Sequence, residues 1–186
     1  MCHATLQDPK LYSLLLFIDE EFAAQARVAG CACGGVLHVA RYPRKPRGAP
    51  PGLPEQYRSR LSFCCALCRR RTTPRSVRYL GRRVYLAAAV VLMSAMRYGL
   101  SAMRMQPLAQ SLCVPRRTLE RWRAWWLEQF PQTSLWKGAC ARFLPPVEIA
   151  TLPASLLERF SGNDIQSRLI QSLRFLSPLS TLGGGA

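Results

Sequence analysis

Two short runs of thiols set the strongest limit on what this chain can fold into. The first is "GCACGG" (residues 30–35) and the second "FCCALC" (residues 63–68), about thirty residues apart. Between them, "PRKPRGAPPGLPE" holds too much proline for a helix or an inner strand and reads as an exposed basic loop. A proline-rich segment of this size has little core of its own, so something besides apolar burial must hold it. Disulfides do not fit. Neighbouring cysteines have Cα atoms about 3.8 Å apart, below the usual bridged range. The sequence also shows no secretion signal that would take it to an oxidising compartment.

A zinc ion is the fitting cross-link. It takes four ligands in a tetrahedron, commonly two from each of two tight turns on neighbouring hairpins. Cys31 and Cys33 supply the first pair, Cys65 and Cys68 the second. "CALC" has the usual two-residue spacer and "CAC" a shorter one, while Gly34 and Gly35 let the chain turn its amides toward the thiolates. Two alternates stand beside this set. Cys64 adjoins Cys65, but successive strand residues point to opposite faces, so both are not expected to serve one ion. The spacing to Cys68 favours Cys65. His38, on a strand just past the glycines, is the substitute ligand. Cys2, Cys113 and Cys140 read as inert packed thiols.

Around this module the apolar pattern is helical. Leu11, Leu14, Leu15 and Ile18 recur at helical spacing, which predicts one helix over residues 1–29 with a stop at Gly30. Residues 30–81 hold the β-type runs "VLHVARY", "YRSRLSF" and "RSVRYL". "RRVYLAAAVVLMSAMRYG" predicts a helix ending at Gly99, the first of a helical module over residues 82–130. Prolines return after Phe130, and residues 131–186 read as a proline-interrupted tail with short amphipathic helices. The expected fold class is α+β: a small zinc-ribbon β module followed by a helical module. Neither "LYSLLLFI" nor "LAAAVVLMSAM" reaches the roughly 20 residues of a membrane span. The expectation is a soluble, cytoplasmic chain with no membrane partner.

The charge points to a polyanion. Net charge is +16, from 26 Lys and Arg against 10 Asp and Glu. Arginine supplies nearly all of it, and guanidinium forks suit phosphates and guanine edges. Thirteen of the cations fall between Arg41 and Arg83, where Glu55 is the only acid. Arg44, Lys45 and Arg47 in the loop, and Arg69, Arg70 and Arg71 after the second thiol run, are candidate phosphate contacts. Arg58 and Arg60, alternating along one expected strand, are expected to share a face.

A second motif follows in "QPLAQSLCVPRRTLERWRAWW" (residues 106–126). Ala109 is small where two helices must cross, and Leu108 and Leu112 share a face. Cys113 sits at the turn, Val114 is the apolar plug, and Pro115 fits the first turn of the next helix. Leu119, Trp122 and Trp126 then recur at core spacing. This stretch closely resembles the helix-turn-helix of bacterial DNA-binding proteins, with Cys113 in place of the common glycine. The resemblance implies a second helix entering the major groove with Arg116, Arg117, Glu120 and Arg121 on its outer face.

Residues 29–82 look like a zinc ribbon. A ribbon followed by a helix-turn-helix resembles the amino-terminal half of bacterial insertion-sequence transposases, and "CRRRTTPRSVRYLGRRVY" looks like transposase-associated sequence. Those enzymes carry a separate nuclease domain with three metal-binding carboxylates. Here Glu128, Glu148, Glu158 and Asp164 lie within about forty residues, too few for a ribonuclease-H-like sheet. With 2 histidines and no phosphate-binding glycine loop, no catalytic constellation is visible. The expectation is a non-enzymatic, nucleoid-associated bacterial protein that binds double-stranded DNA, alone, as a homo-oligomer or beside a transposase partner. Two other classes fit less of the sequence: a zinc-ribbon RNA- or ribosome-associated protein, and an enzyme with a thiol nucleophile or a cryptic nuclease site.

Overall fold

The amino-terminal helical pattern breaks once, at Asp8. It forms α1 (Cys2–Gln7) and α2 (Pro9–Ala29), where the spacing predicted one helix. Asp8 caps α2 by accepting from the Lys10 N–H at 2.9 Å, and Pro9 takes the first helical position, where no donor is needed. The computed structural model describes residues 2–80, 85–96, 110 and 112–181. Gly30, at φ 72, ends α2 in a backbone conformation that favours glycine and delivers the chain to Cys31.

The residues between and after the thiol runs make two small antiparallel sheets. One has the order β1 (Leu37–Val39), β4 (Phe63–Cys65), β5 (Arg71–Thr72); the other pairs β2 (Tyr42–Pro43) with β3 (Ser59–Arg60). Register sets Leu37 opposite Cys65 and His38 opposite Cys64. Leu37, Phe63 and Cys65 point inward and, with Leu61, pack against Ala23 of α2. Helices and small sheets together give an α+β composition.

Two strand expectations need correction. "RSVRYL" is not a strand: Ser76 to Leu80 are buried, and Tyr79 makes an isolated bridge to Leu86. Arg58 closes a 3-10 turn (Glu55–Arg58) and is exposed, whereas Arg60 on β3 is buried, so the two do not share a face. The reason is Asp19. This carboxylate on α2 is 1 % exposed and draws arginines inward. Its Oδ2 accepts from Arg78 Nε at 2.7 Å and Ser76 Oγ at 2.5 Å, its Oδ1 accepts from the Val77 N–H at 2.7 Å, and Arg60 Nη1 lies 3.7 Å away. Arg60 also donates to the Pro74 carbonyl at 2.6 Å and to Ser180 Oγ at 3.3 Å. Arg60 and Arg78 are therefore structural cations and not part of a nucleic-acid face. Burial lowers the Arg60 pKa, and the Asp19 charge opposes that fall.

Tyrosines extend this centre. Tyr79 donates to the Tyr57 carbonyl, Tyr57 to the Tyr12 carbonyl at 2.7 Å, and Tyr12 to the Leu6 carbonyl at 2.7 Å. The hydroxyls thus carry hydrogen bonds from the Arg78 region back to α1 without leaving a buried donor unpaired.

The helical core forms around α3 (Ala87–Met96), which is buried all round from Ala87 to Met93, as a helix apolar on every face must be. Leu6, Leu11, Leu15 and Ile18 pack on one side of this core. Trp122 and Trp126 of the helical run α4 (Arg116–Ala124) and its continuation also join it. So do α6 (Ala154–Leu157) and α7 (Ile165–Leu176), which follow the short α5 (Ser134–Ala139). Residues expected in a tail thus supply Leu152, Leu156, Leu169, Leu173 and Leu176 to the same core. Among the described residues no helix is long and apolar enough to cross a membrane.

Replacing Asp19 tests this construction. Asp19→Asn leaves Arg78 and Arg60 buried without their counter-charge and should cost about 3–5 kcal/mol in chemical denaturation. A loss below about 1 kcal/mol would show that the network does not hold the elements together.

Candidate metal centre

The helix stop at Gly30 and the β1–β4 pairing bring the two thiol runs together. Cys31 and Cys33 leave α2 on a tight turn closed by the Gly34 N–H on the Cys31 carbonyl at 2.8 Å, with Gly34 at φ 78. Cys65 ends β4, and the chain turns through Cys68 to Arg69, whose N–H donates to the Cys65 carbonyl at 3.2 Å. Arg69 has φ 58. Each thiol pair is therefore followed at once by a residue in the left-handed region. Glycine fills that place in the first turn, while in the second an arginine accepts the strain.

The ligand atoms of Cys31, Cys33, Cys65 and Cys68 all lie within 4.8 Å of one another. Sulfur pairs stand at 3.5 Å (Cys31–Cys68), 3.5 Å (Cys31–Cys33) and 3.4 Å (Cys33–Cys65). A tetrahedral ion with metal–sulfur bonds of about 2.3 Å sets its sulfurs about 3.8 Å apart. The cluster is near that size, and four thiols with no carboxylate suit a soft or borderline ion. These four side chains could hold a metal ion.

The thiols are unequal. The Cys68 N–H, then the Cys33 thiol and the Leu67 N–H, favour the Cys65 thiolate and bring its pKa down to about 6 against the cost of burial. The Cys33 N–H also favours the Cys31 thiolate, but the thiols of Cys33 and Cys68 outweigh it, and Cys31 is pushed up to about 12. Four crowded sulfurs cannot all ionise unaided, which is the electrostatic gap a cation fills.

The backbone approach at Gly35 is equally close. A Cβ there would lie 2.6 Å from Cys65 Sγ and 2.9 Å from Leu67 Cγ. Gly35 therefore lets the first turn lie against the buried sulfur. The two alternates fall elsewhere. Cys64 turns to the opposite strand face, its sulfur 3.5 Å from the Arg69 carbonyl, and exposed His38 pairs with it across the sheet.

Arg69, Arg70 and Arg71 follow the second turn and are exposed. The Arg71 guanidinium stacks on Tyr42 at 5.5 Å, and Arg44 covers the same ring at 5.4 Å, so the loop and strand cations meet at one tyrosine. Lys45 and Arg47 are exposed. The loop then docks on the helices. The Leu86 N–H donates to the Arg47 carbonyl at 2.9 Å, and a Cβ at Gly48 would meet Ala89 at 3.2 Å and Val114 at 3.8 Å.

Next to that contact lies the second motif. Its first helix, read from Gln106, lies mostly outside the described residues. Cys113 has φ 50, its N–H donating to the Gln110 carbonyl at 3.0 Å, and Val114 is buried. Trp122 packs edge-on against Tyr85 with ring centres 5.1 Å apart. Arg116, Arg117, Glu120 and Arg121 are exposed. Arg116 pairs with Glu120 at 3.0 Å, and Arg121 donates to Thr118 Oγ1 at 3.1 Å.

Asp19 and Tyr42 are the contributors that sequence reasoning missed. Gly35 and Arg69 were singled out, one for the turn and the other as a cation, but the close approach of Gly35 to Cys65 and the left-handed backbone at Arg69 were not foreseen. No sequence signal marks the contacts of Asp19. No known family, curated protein or solved structure compared with the chain matches it.

Elemental analysis of protein purified without chelator should find one metal ion per chain. Cys65→Ser should abolish it and Cys64→Ser should leave it intact; the reverse pattern would reassign the ligand. Gly35→Ala should weaken metal affinity by about 10–100-fold, as disturbing a supporting contact does elsewhere.

Proposed function

We propose that this chain is a double-stranded DNA-binding protein related to mobile-element transposases, in which a zinc ribbon and a helix-turn-helix form one basic interface. In this reading it is an accessory factor, regulator or fragment with no catalytic domain of its own. Zinc is the ion, because four thiolates near tetrahedral spacing are its commonest structural site. The observation that carries the reading is the turn at Cys113. A left-handed residue at the turn, a buried Val114 and a helix with Trp122 inward and Arg116, Arg117 and Arg121 outward support the reading of a recognition helix and its preceding turn.

The roles divide by chemistry. Arg116 and Arg117, in the first turn of α4, reach base edges or flanking phosphates. Glu120 holds Arg116, and Arg121 takes phosphate. Arg44, Lys45, Arg47, Arg69, Arg70 and Arg71 supply the sequence-independent grip of the ribbon on a phosphate backbone. Two of the three tryptophans of the recognition run, Trp122 and Trp126, are core residues and do not stack on bases.

Selection of bound duplexes from a random pool at physiological salt should recover a motif. Arg117→Ala should then relax preference at one base position, costing about 1–3 kcal/mol of discrimination there. Binding without a motif that vanishes with salt, or equal preference for structured RNA, would overturn the sequence-specific DNA reading.

A further inference from the structure

The basic loop does more than present cations: it lines a cleft. Arg44, Lys45 and Arg58 line a cavity of about 620 Å³, and Pro50, Leu53 and Pro54 form apolar walls. No acid lines it. Among the described residues, neither Lys45 nor Arg58 takes part in an ion pair. Arg44 is held in place, its guanidinium lying against Tyr42 at 5.4 Å and Tyr79 at 5.7 Å. The Arg44 N–H donates to the Arg58 carbonyl at 2.7 Å, tying two parts of the lining together, and Gly52, at φ 81, stands in a turn of the lining loop.

From this arrangement we infer that the cleft is a binding site for a nucleoside phosphate. The volume falls in the range of small-ligand sites, roughly 300–1,000 Å³, and exceeds what a bare phosphate needs. The exposed cations Lys45 and Arg58 would bind a phosphate, and the proline and leucine walls would cover a base and sugar that otherwise remain in water. An intact duplex keeps its bases paired and stacked, so the occupant is either a free mononucleotide or an unpaired nucleotide at a strand end. This deepens the nucleic-acid reading above, because it adds a site for a single nucleotide to an interface that reads the duplex.

The test uses the full metal-loaded chain with thymidine 5′-monophosphate, thymidine and inorganic phosphate as separate probes, followed by calorimetry or ligand-observed NMR. The monophosphate should bind more tightly than either fragment. Arg58→Ala and Lys45→Ala should each weaken it about tenfold, the loss of one charge-assisted contact. Both side chains are exposed, so metal content should be unchanged and verifies that the variants are folded. Equal binding of inorganic phosphate and the monophosphate, or variants without effect, would overturn the inference by reducing the cleft to a charged surface. A 5′-phosphorylated oligothymidylate displaced by the monophosphate identifies a strand end as the occupant. An oligonucleotide that binds without such competition identifies the free nucleotide. Both results support the site. Duplex selection that succeeds without monophosphate binding defeats this inference alone, and monophosphate binding without duplex selection defeats only the duplex reading.

Discussion

One buried carboxylate organises much of this molecule. Asp19 sits on α2, yet its partners come from β3 and from the buried segment at Ser76 to Arg78. Through Arg60 and the Ser76 N–H, the same centre reaches Ser180 beyond the last helix. Residues far apart in sequence thus close around one charge. Desolvating two arginines and an aspartate is costly, and the geometry offsets it with hydrogen bonds on both carboxylate oxygens and on both guanidinium groups. Asp19 thus ties α2 to β3 and to the Ser76–Arg78 segment, while the cysteine module packs against Ala23 of the same helix.

The sequence made some of this legible and hid the rest for physical reasons. Thiol spacing, strand alternation and glycine placement are local properties, and they anticipated which four sulfurs converge and that Cys64 faces away. The turn before α4 was legible for the same reason. Charge patterning misled at Arg60 and Arg78. A run of arginines looks like a solvent face until an acid some forty to sixty residues earlier is known to reach it, and no periodicity encodes that meeting. The short amphipathic helices after Phe130 were legible, and α6 and α7 form there, but their place was not. Their leucines pack into the core around α3, and no local period encodes that docking.

Two non-glycine residues, Arg69 and Cys113, occupy left-handed backbone at the two turns that define the proposed interface. Such residues cost about 1–3 kcal/mol each and persist when the surroundings over-determine them. At Arg69 the surrounding constraint is the thiol turn itself, and a bound ion would rigidify it further. The strain there falls on the residue that directly follows Cys68 and heads the exposed run to Arg71. In this account the ion is a staple for folding and also a device that aims charge.

That linkage is tested most directly by measuring duplex affinity of the full chain before and after metal removal by a chelator, across a salt series. The account predicts that stripping the ion lowers affinity and flattens the salt dependence, since the cations at Arg69, Arg70 and Arg71 lose their fixed register, and that added zinc restores both. Unchanged affinity and salt slope in metal-free protein would contradict it.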